Sequence, residues 1–432
     1  IKVPLDFKDD PLFWYVAWRK AVTAYGPLWE GMSWLTARLG GEHPGLALVP
    51  PVEVSASMNA NQKAGLLRLM LAYKGLAAIG FLGCGAAIWF TLRRTAFEWR
   101  WLGLYLWLWN PLALWESLAA GHNDAWMAML IVLAVGAVSG RPADRASGRD
   151  SCASRAHSPT PALAHSLVAF LMLTLGGLVK FLALMFGPLL LYAGLRRLPD
   201  WRSRLRLVLL GGVICGAVVV LAYAPFWAGW GTLRNFSDRG TLFTSSWLAA
   251  IQAPLSLSPI KALIPARDLL ALVTWGPPSE AISQAAAVSI GLGLLVFGVL
   301  WASWRAWRAP DDVARHVLWL LLWFLFLCTP WFQPWYLLWA LALLAIQPWR
   351  GRMAWAIGIF CCTAMLSYLA GVFLLPLLGW NGDGAEWNGL TSALIYGPPL
   401  LALLWGRRPG LAWPRVRLRH KAVAPAEEML EG

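Results

Sequence analysis

The sequence predicts an all-α, polytopic integral membrane protein, with about eleven transmembrane helices when its apolar runs are matched to the roughly 20 residues that span a hydrocarbon core. Three observations carry this reading. Hydrophobic residues make up 59% of the 432-residue chain and charged residues only 13%, and the mean hydropathy of +0.56 lies beyond that of a soluble domain. The chain holds 30 Trp, a residue that concentrates where a ring can sit between acyl chains and headgroups. Its Arg and Lys fall between the apolar runs and collect on one side once those runs are threaded through a bilayer.

The same pattern accounts for the net charge of +14. The basic residues are dispersed rather than gathered on one soluble face, so no nucleic-acid partner is expected. Cys84, Cys152, Cys215, Cys328, Cys361 and Cys362 show neither CxxC nor Cys/His spacing, which argues against a zinc site or a disulfide framework.

In chain order, residues 1–65 read as an outer-face loop region with short helices, where Tyr25-Gly26-Pro27-Leu28-Trp29-Glu30 is a turn feeding a helix. Residue 1 is Ile, and neither a signal peptide nor a hydrophobic span precedes this region, so the chain is expected to be a fragment lacking at least one upstream span. Residues 66–140 hold spans on both sides of a polar turn, Glu116–Asp124. Residues 141–162, rich in Arg, Ser, Ala and Pro and without hydrophobic period, form a flexible cytoplasmic linker.

Residues 163–227 are spans again. Arg141, Arg145, Arg149 and Arg155 precede them and Arg196 to Arg206 interrupt them, so Leu163–Leu178 and Phe181–Leu195 must be a shallow pair that turns back around Lys180. Residues 228–284 form an outer-face loop with surface helices, 285–405 the last spans, and 406–432 a basic cytoplasmic tail suited to anionic headgroups. No internal repeat is visible.

Chemistry points to Glu116-Ser-Leu-Ala-Ala-Gly-His-Asn-Asp124, because carboxylates, an imidazole and an amide between two apolar runs are unfavourable there unless they line a wet cavity or bind something. Asp124 is the first catalytic candidate, its carboxylate facing an outer cavity; the bland alternative is that Asn123 or Asp124 only caps the next helix. His122 is a general acid or base, a metal ligand, or a hydrogen-bonding loop residue. Glu116, eight residues earlier, faces the same pocket from the other side of the turn or is a solvated interface carboxylate. Lys180 needs an anionic partner, a phosphate being one, unless it snorkels to the interface. Gln333, Trp335 and Tyr336 make either a plain interface turn or the wall of a sugar site.

Taken together, Asn110-Pro111, Gly121-His122-Asn123-Asp124, Lys180, Gln333-Pro334-Trp335-Tyr336 and the earlier Tyr25-Gly26-Pro27-Leu28-Trp29 resemble the bacterial C-fold glycosyltransferases, in particular glycosyltransferase family 87 and the polyprenyl-phosphate-mannose-dependent α-mannosyltransferases. The resemblance implies a plasma-membrane hexosyltransferase, with mannose the first candidate sugar. It would take the sugar from a polyprenyl-phosphate donor at the outer face and pass it to a lipid or glycan acceptor by inverting displacement. A carboxylate would act as base and Lys, Arg or a divalent metal would balance the leaving phosphate. It further implies that the base sits in the first outer loop, in or before the opening of this chain, and that Asn123, Lys180, Gln333, Trp335, Tyr336 and Tyr25 bind substrate. No cofactor is named by the sequence. The alternative is a polytopic transporter or flippase, which would be expected to show discontinuous spans in two related halves.

Overall fold

A computed structural model describes residues 23, 25–41, 60–139, 159–229, 232, 245–249, 280–347, 351–369, 373, 377 and 385–405. The linker before residue 159, most of the 228–284 loop, the carboxylates of residues 1–22 and the basic tail lie outside the described residues. The chain is all-α: among the described residues no strand extends beyond an isolated bridge.

The helices are α1 (Pro27–Gly40), α2 (Ala60–Thr95), α3 (Arg100–Leu108), α4 (Pro111–Leu114), α5 (Asp124–Ser139), α6 (Pro159–Val179), α7 (Gly187–Arg197), α8 (Trp201–Tyr223), α9 (Glu280–Arg308), α10 (Val313–Trp323), α11 (Leu337–Ala345), α12 (Arg352–Leu369) and α13 (Ala385–Trp405). Among the described residues, five segments are long and apolar enough to cross a membrane: Lys63–Thr95, Pro161–Val179, Trp201–Phe226, Ala286–Arg308 and Arg352–Leu369. A sixth is reached if Pro111–Ala119 and Asp124–Ser139, bent by 120° at the polar turn, count as one broken span.

The other apolar runs are interrupted, each for a local reason. Asn110-Pro111 ends α3, because proline disfavours helical backbone in the residue before it and brings no N–H. Past Val179 the chain runs through a 3₁₀ segment, Phe181–Phe186, before α7 begins at Gly187-Pro188. A wide π turn, Phe324–Cys328, closes α10 ahead of Pro330.

Two of the shorter helices, α5 and α11, sit at the centre of the bundle. Nearly every side chain of α5 is buried, packed against α2, α6 and α11, and all nine residues of α11 are buried. Helices that end at mid-depth leave main-chain groups unpaired, and hydrocarbon offers them no partner, so such helices survive only when protein surrounds them. By contrast, α8 is peripheral, with Val213, Val220 and Leu221 exposed, the surface expected of a helix solvated by lipid.

The bundle has two polar ends. At one, Asp200 caps α8 by accepting from Ser203 N (2.8 Å) and Ser203 Oγ (2.9 Å), and Arg197 donates to Pro310 O (2.9 Å) beside Asp311. Ser166 of α6 lies against Gly194 of α7, so these two helices run antiparallel and return the chain to this end. Lys180 and the Glu116–Asp124 turn lie at the opposite end.

Candidate functional site

Four segments converge there: Tyr25-Gly26, residues 115–124, Lys180 and the turn Pro330–Tyr336. The turn at residues 115–124 is shaped first by local chemistry. Asn110 Oδ1 accepts from Leu112 N (3.0 Å) and Ala113 N (3.3 Å), and Pro111 fills the first helical position, where an N–H would have no partner. Residues Trp115–Ala119 form a π turn that buries Glu116 and Ser117. Gly121 then leaves the helix at φ +80, a backbone region that glycine adopts without steric conflict. Lys74 from α2 donates to the carbonyls of Leu118 (3.1 Å) and Ala119, satisfying acceptors that the end of the turn leaves open.

The turn delivers two polar clusters, not one. In the first, Glu116 is completely buried; Tyr368 of α12 donates its hydroxyl to Oε1 (2.9 Å), and His122 Nδ1 lies 3.0 Å from Oε2. The same Nδ1 is 3.2 Å from the Glu116 main-chain oxygen. The carboxylate contact is the shorter but lies off the N–H direction, leaving Oε2 without a well-aligned donor, so the carbonyl takes the hydrogen bond and the carboxylate supplies the charge. Trp335 stacks on the imidazole at 4.0 Å and 22°, fixing the ring plane.

The second cluster is an ion pair. Lys180 Nζ donates to Asp124 Oδ2 at 2.7 Å; the carboxylate is fully buried and the lysine side chain 14% exposed. Around the ammonium stand Tyr25 (5.4 Å to the ring centroid), Tyr336 (5.8 Å) and Trp339 (5.8 Å), within the range where an aromatic face attracts a cation. Trp339 and Tyr336 are themselves stacked at 4.7 Å. Tyr25 is positioned by its neighbour: Gly26 N donates to Val179 O (3.0 Å), and any side chain at Gly26 would overlap the Leu178 carbonyl. Beside the pair, Asn123 Nδ2 and Oδ1 and Asp124 Oδ1 are buried without a hydrogen-bond partner among the described residues. Such atoms are uncommon in native proteins and each costs about 1–3 kcal/mol if unmet.

An open cavity of about 550 Å³ adjoins the first cluster, lined by Trp115, His122, Trp335, Tyr368, Leu369 and Phe373. Its walls are aromatic and aliphatic, with the imidazole and phenol as the polar groups, and its volume falls in the range of small-ligand sites. One cluster can therefore exchange a proton with something in the cavity, and the other presents positive charge in an aromatic setting.

Protein-family models give no match to this chain, and searches of curated proteins and of solved structures return none either. What the site can do follows from its geometry.

That geometry corrects three expectations. Asp124 does not face the cavity; it is sealed against Lys180, because an ammonium in an apolar helix turn takes the nearest buried carboxylate. Glu116 and Asp124 do not share a pocket, since the π turn and Gly121 aim them into separate clusters. Neither Asn123 nor Asp124 is a side-chain helix cap, for neither accepts a main-chain amide. Gln333 stands half-buried at the head of the Pro334–Tyr336 turn, its side chain without a partner among the described residues. Tyr368 and Trp339 were missed: Ser367-Tyr368 is a polar step in an apolar helix, a signal the sequence held, whereas Trp339 in Leu-Leu-Trp-Ala-Leu looks like any buried tryptophan. Among the described residues no three His, Cys, Asp or Glu side chains converge as a metal site.

Proposed function

We propose that the protein is a membrane glycosyltransferase that moves a hexose, mannose in the first instance, from a polyprenyl-phosphate donor to a lipid or glycan acceptor at the outer face of a bacterial plasma membrane. The observation that carries the reading is the meeting of Tyr25, Glu116, His122, Lys180, Trp335 and Tyr336 at one end of an apolar bundle, next to a cavity whose rim residues Trp115, Leu369 and Phe373 are lipid-compatible. An amphiphilic donor needs that combination: positive charge and aromatic faces for a sugar phosphate, and apolar surface for its tail.

In this scheme the phosphate is drawn to Lys180, whose ammonium has three N–H donors and gives one to Asp124. Asp124 holds the lysine, and Trp335 and Tyr336 present ring faces to the sugar. The acceptor hydroxyl attacks the anomeric carbon from the side opposite the phosphate, inverting it. The topology belongs to the same proposal: about eleven crossings, in which short helices extended by 3₁₀ or π turns complete spans that fall under roughly 20 residues.

The direct test is transfer of radiolabelled mannose from a polyprenyl phosphate by membranes carrying the full-length protein. Lys180→Ala should lower transfer by about 100-fold, the usual effect of removing a group that stabilises a developing anion. Unchanged transfer in Lys180→Ala and Asp124→Asn would reject the site.

A further inference from the structure

The resemblance expects the base to be a carboxylate ahead of Tyr25. The geometry points elsewhere: we propose that His122, held by the buried carboxylate of Glu116, is the general base that takes the acceptor proton. This inference rests on the transferase reading for its substrate and on the cavity wall for its chemistry.

Both groups facing Nδ1 are acceptors, the Glu116 main-chain oxygen at 3.2 Å and Oε2 at 3.0 Å, so Nδ1 must carry the ring proton. That leaves Nε2, on the opposite edge of the ring, as the lone-pair nitrogen, with no partner among the described residues. Trp335 prevents the ring from tipping and Tyr368 fixes the carboxylate from its other oxygen. The imidazole is 24% exposed and lines the 550 Å³ cavity, whereas Glu116 is sealed behind it and Asp124 is spent on Lys180. Of the basic groups on the described part of the turn, His122 alone reaches the cavity.

The acceptor O–H bond breaks and its proton passes to Nε2 as the oxygen bonds to the anomeric carbon of the donor. The bond from that carbon to the phosphate oxygen breaks, and its electron pair leaves with the polyprenyl phosphate. The resulting imidazolium faces the Glu116 carboxylate, which stabilises the charge, and the proton then returns to solvent. Other ionisable groups around His122 are Tyr368 from α12, Lys74 from α2, held on the Leu118 and Ala119 carbonyls, and the Asp124–Lys180 pair beyond Asn123. Glu116 is a positioning residue, and His122 the catalytic one.

The experiment uses the full-length protein in membranes, with a polyprenyl-phosphate mannose as donor and octyl mannoside as acceptor, alongside carbethoxylation of histidines by diethyl pyrocarbonate read by mass spectrometry. His122→Gln should lower kcat by about 100-fold or more with the donor KM within about threefold, the range general-base groups contribute. Glu116→Gln should lower kcat about tenfold, again with little change in KM, and Glu116→Asp should recover part of it. Wild-type His122 should be carbethoxylated, with transfer lost in step. A His122→Gln protein that keeps more than a third of wild-type kcat, or modification of His122 without loss of transfer, overturns the inference. Should the wild type transfer from no polyprenyl-phosphate sugar, the transferase reading fails, and the chemistry of the ring still decides this one: a His122 that resists carbethoxylation in the folded protein has no open Nε2.

Discussion

At the scale of single residues, the Lys180–Asp124 pair governs what the site can do. Separating a charge from its buried partner typically destabilises a protein by about 3–5 kcal/mol, while replacing both charges by neutral groups of similar size is far less harmful. Lys180→Met should therefore lower the unfolding temperature in detergent sharply, and adding Asp124→Asn should restore most of it. Transfer should not return in the double variant if Lys180 attracts the donor phosphate as proposed, because the ammonium is still missing. Recovery of both together would make the pair structural only. Lys180 was conspicuous in the sequence, as an ammonium inside the apolar stretch Leu163–Leu195. Its partner was not, because Asp124 lies 56 residues away and Glu116 offered an equally acidic alternative.

Among the elements, breaks matter more than helices. Asn110-Pro111, the π turn at Trp115–Ala119 and the 3₁₀ segment after Lys180 stop three apolar runs at the depth where polar groups gather. Asn110-Pro111 was legible, because proline and asparagine act on backbone dihedrals locally, and the return at Lys180 could be read from the arginines on both flanks; the π turn and the 3₁₀ segment hold no Pro, Gly or Asn and gave no such signal. The number of complete spans was less so, since hydropathy measures how apolar a run is and not whether its hydrogen bonding is continuous. At the other end of the bundle, the cap of α8 gives a pH-dependent prediction. The Ser203 amide and hydroxyl hold the Asp200 carboxyl below its usual value. A carboxylate favoured in the native state contributes stability above its unfolded pKa, and that contribution disappears as pH falls through the lowered native value. Wild type should thus lose stability from near pH 4 downward relative to Asp200→Asn, which can still cap without ionising, when their melting temperatures are compared across that range.

For the whole molecule, sidedness is the claim that everything functional depends on. His122, Lys180 and Trp335 share one end; Arg197, Asp200 and Asp311 share the other. Single cysteines at exposed Ala120 and Asp312, in a chain freed of its own cysteines, should be labelled by an impermeant thiol reagent from opposite faces of intact cells and inverted vesicles, Ala120→Cys from outside. Labelling of both from one face would remove the outward-facing site. The peripheral α8 should tolerate no charge on its lipid side: Val213→Arg should lower membrane insertion by about 2.5–3.5 kcal/mol in a translocon assay, as expected for arginine at a helix centre.

By itself the sequence determined the all-α membrane class, the polar turn Glu116–Asp124 and the Asn110-Pro111 step before it, because composition, hydropathy and backbone chemistry act over a few residues. Only the tertiary structure decided that Asp124 belongs to Lys180 and Glu116 to His122 and Tyr368. Those partners arrive on helices up to 252 residues apart in the chain, and which carboxylate meets which cation depends on how the helices pack.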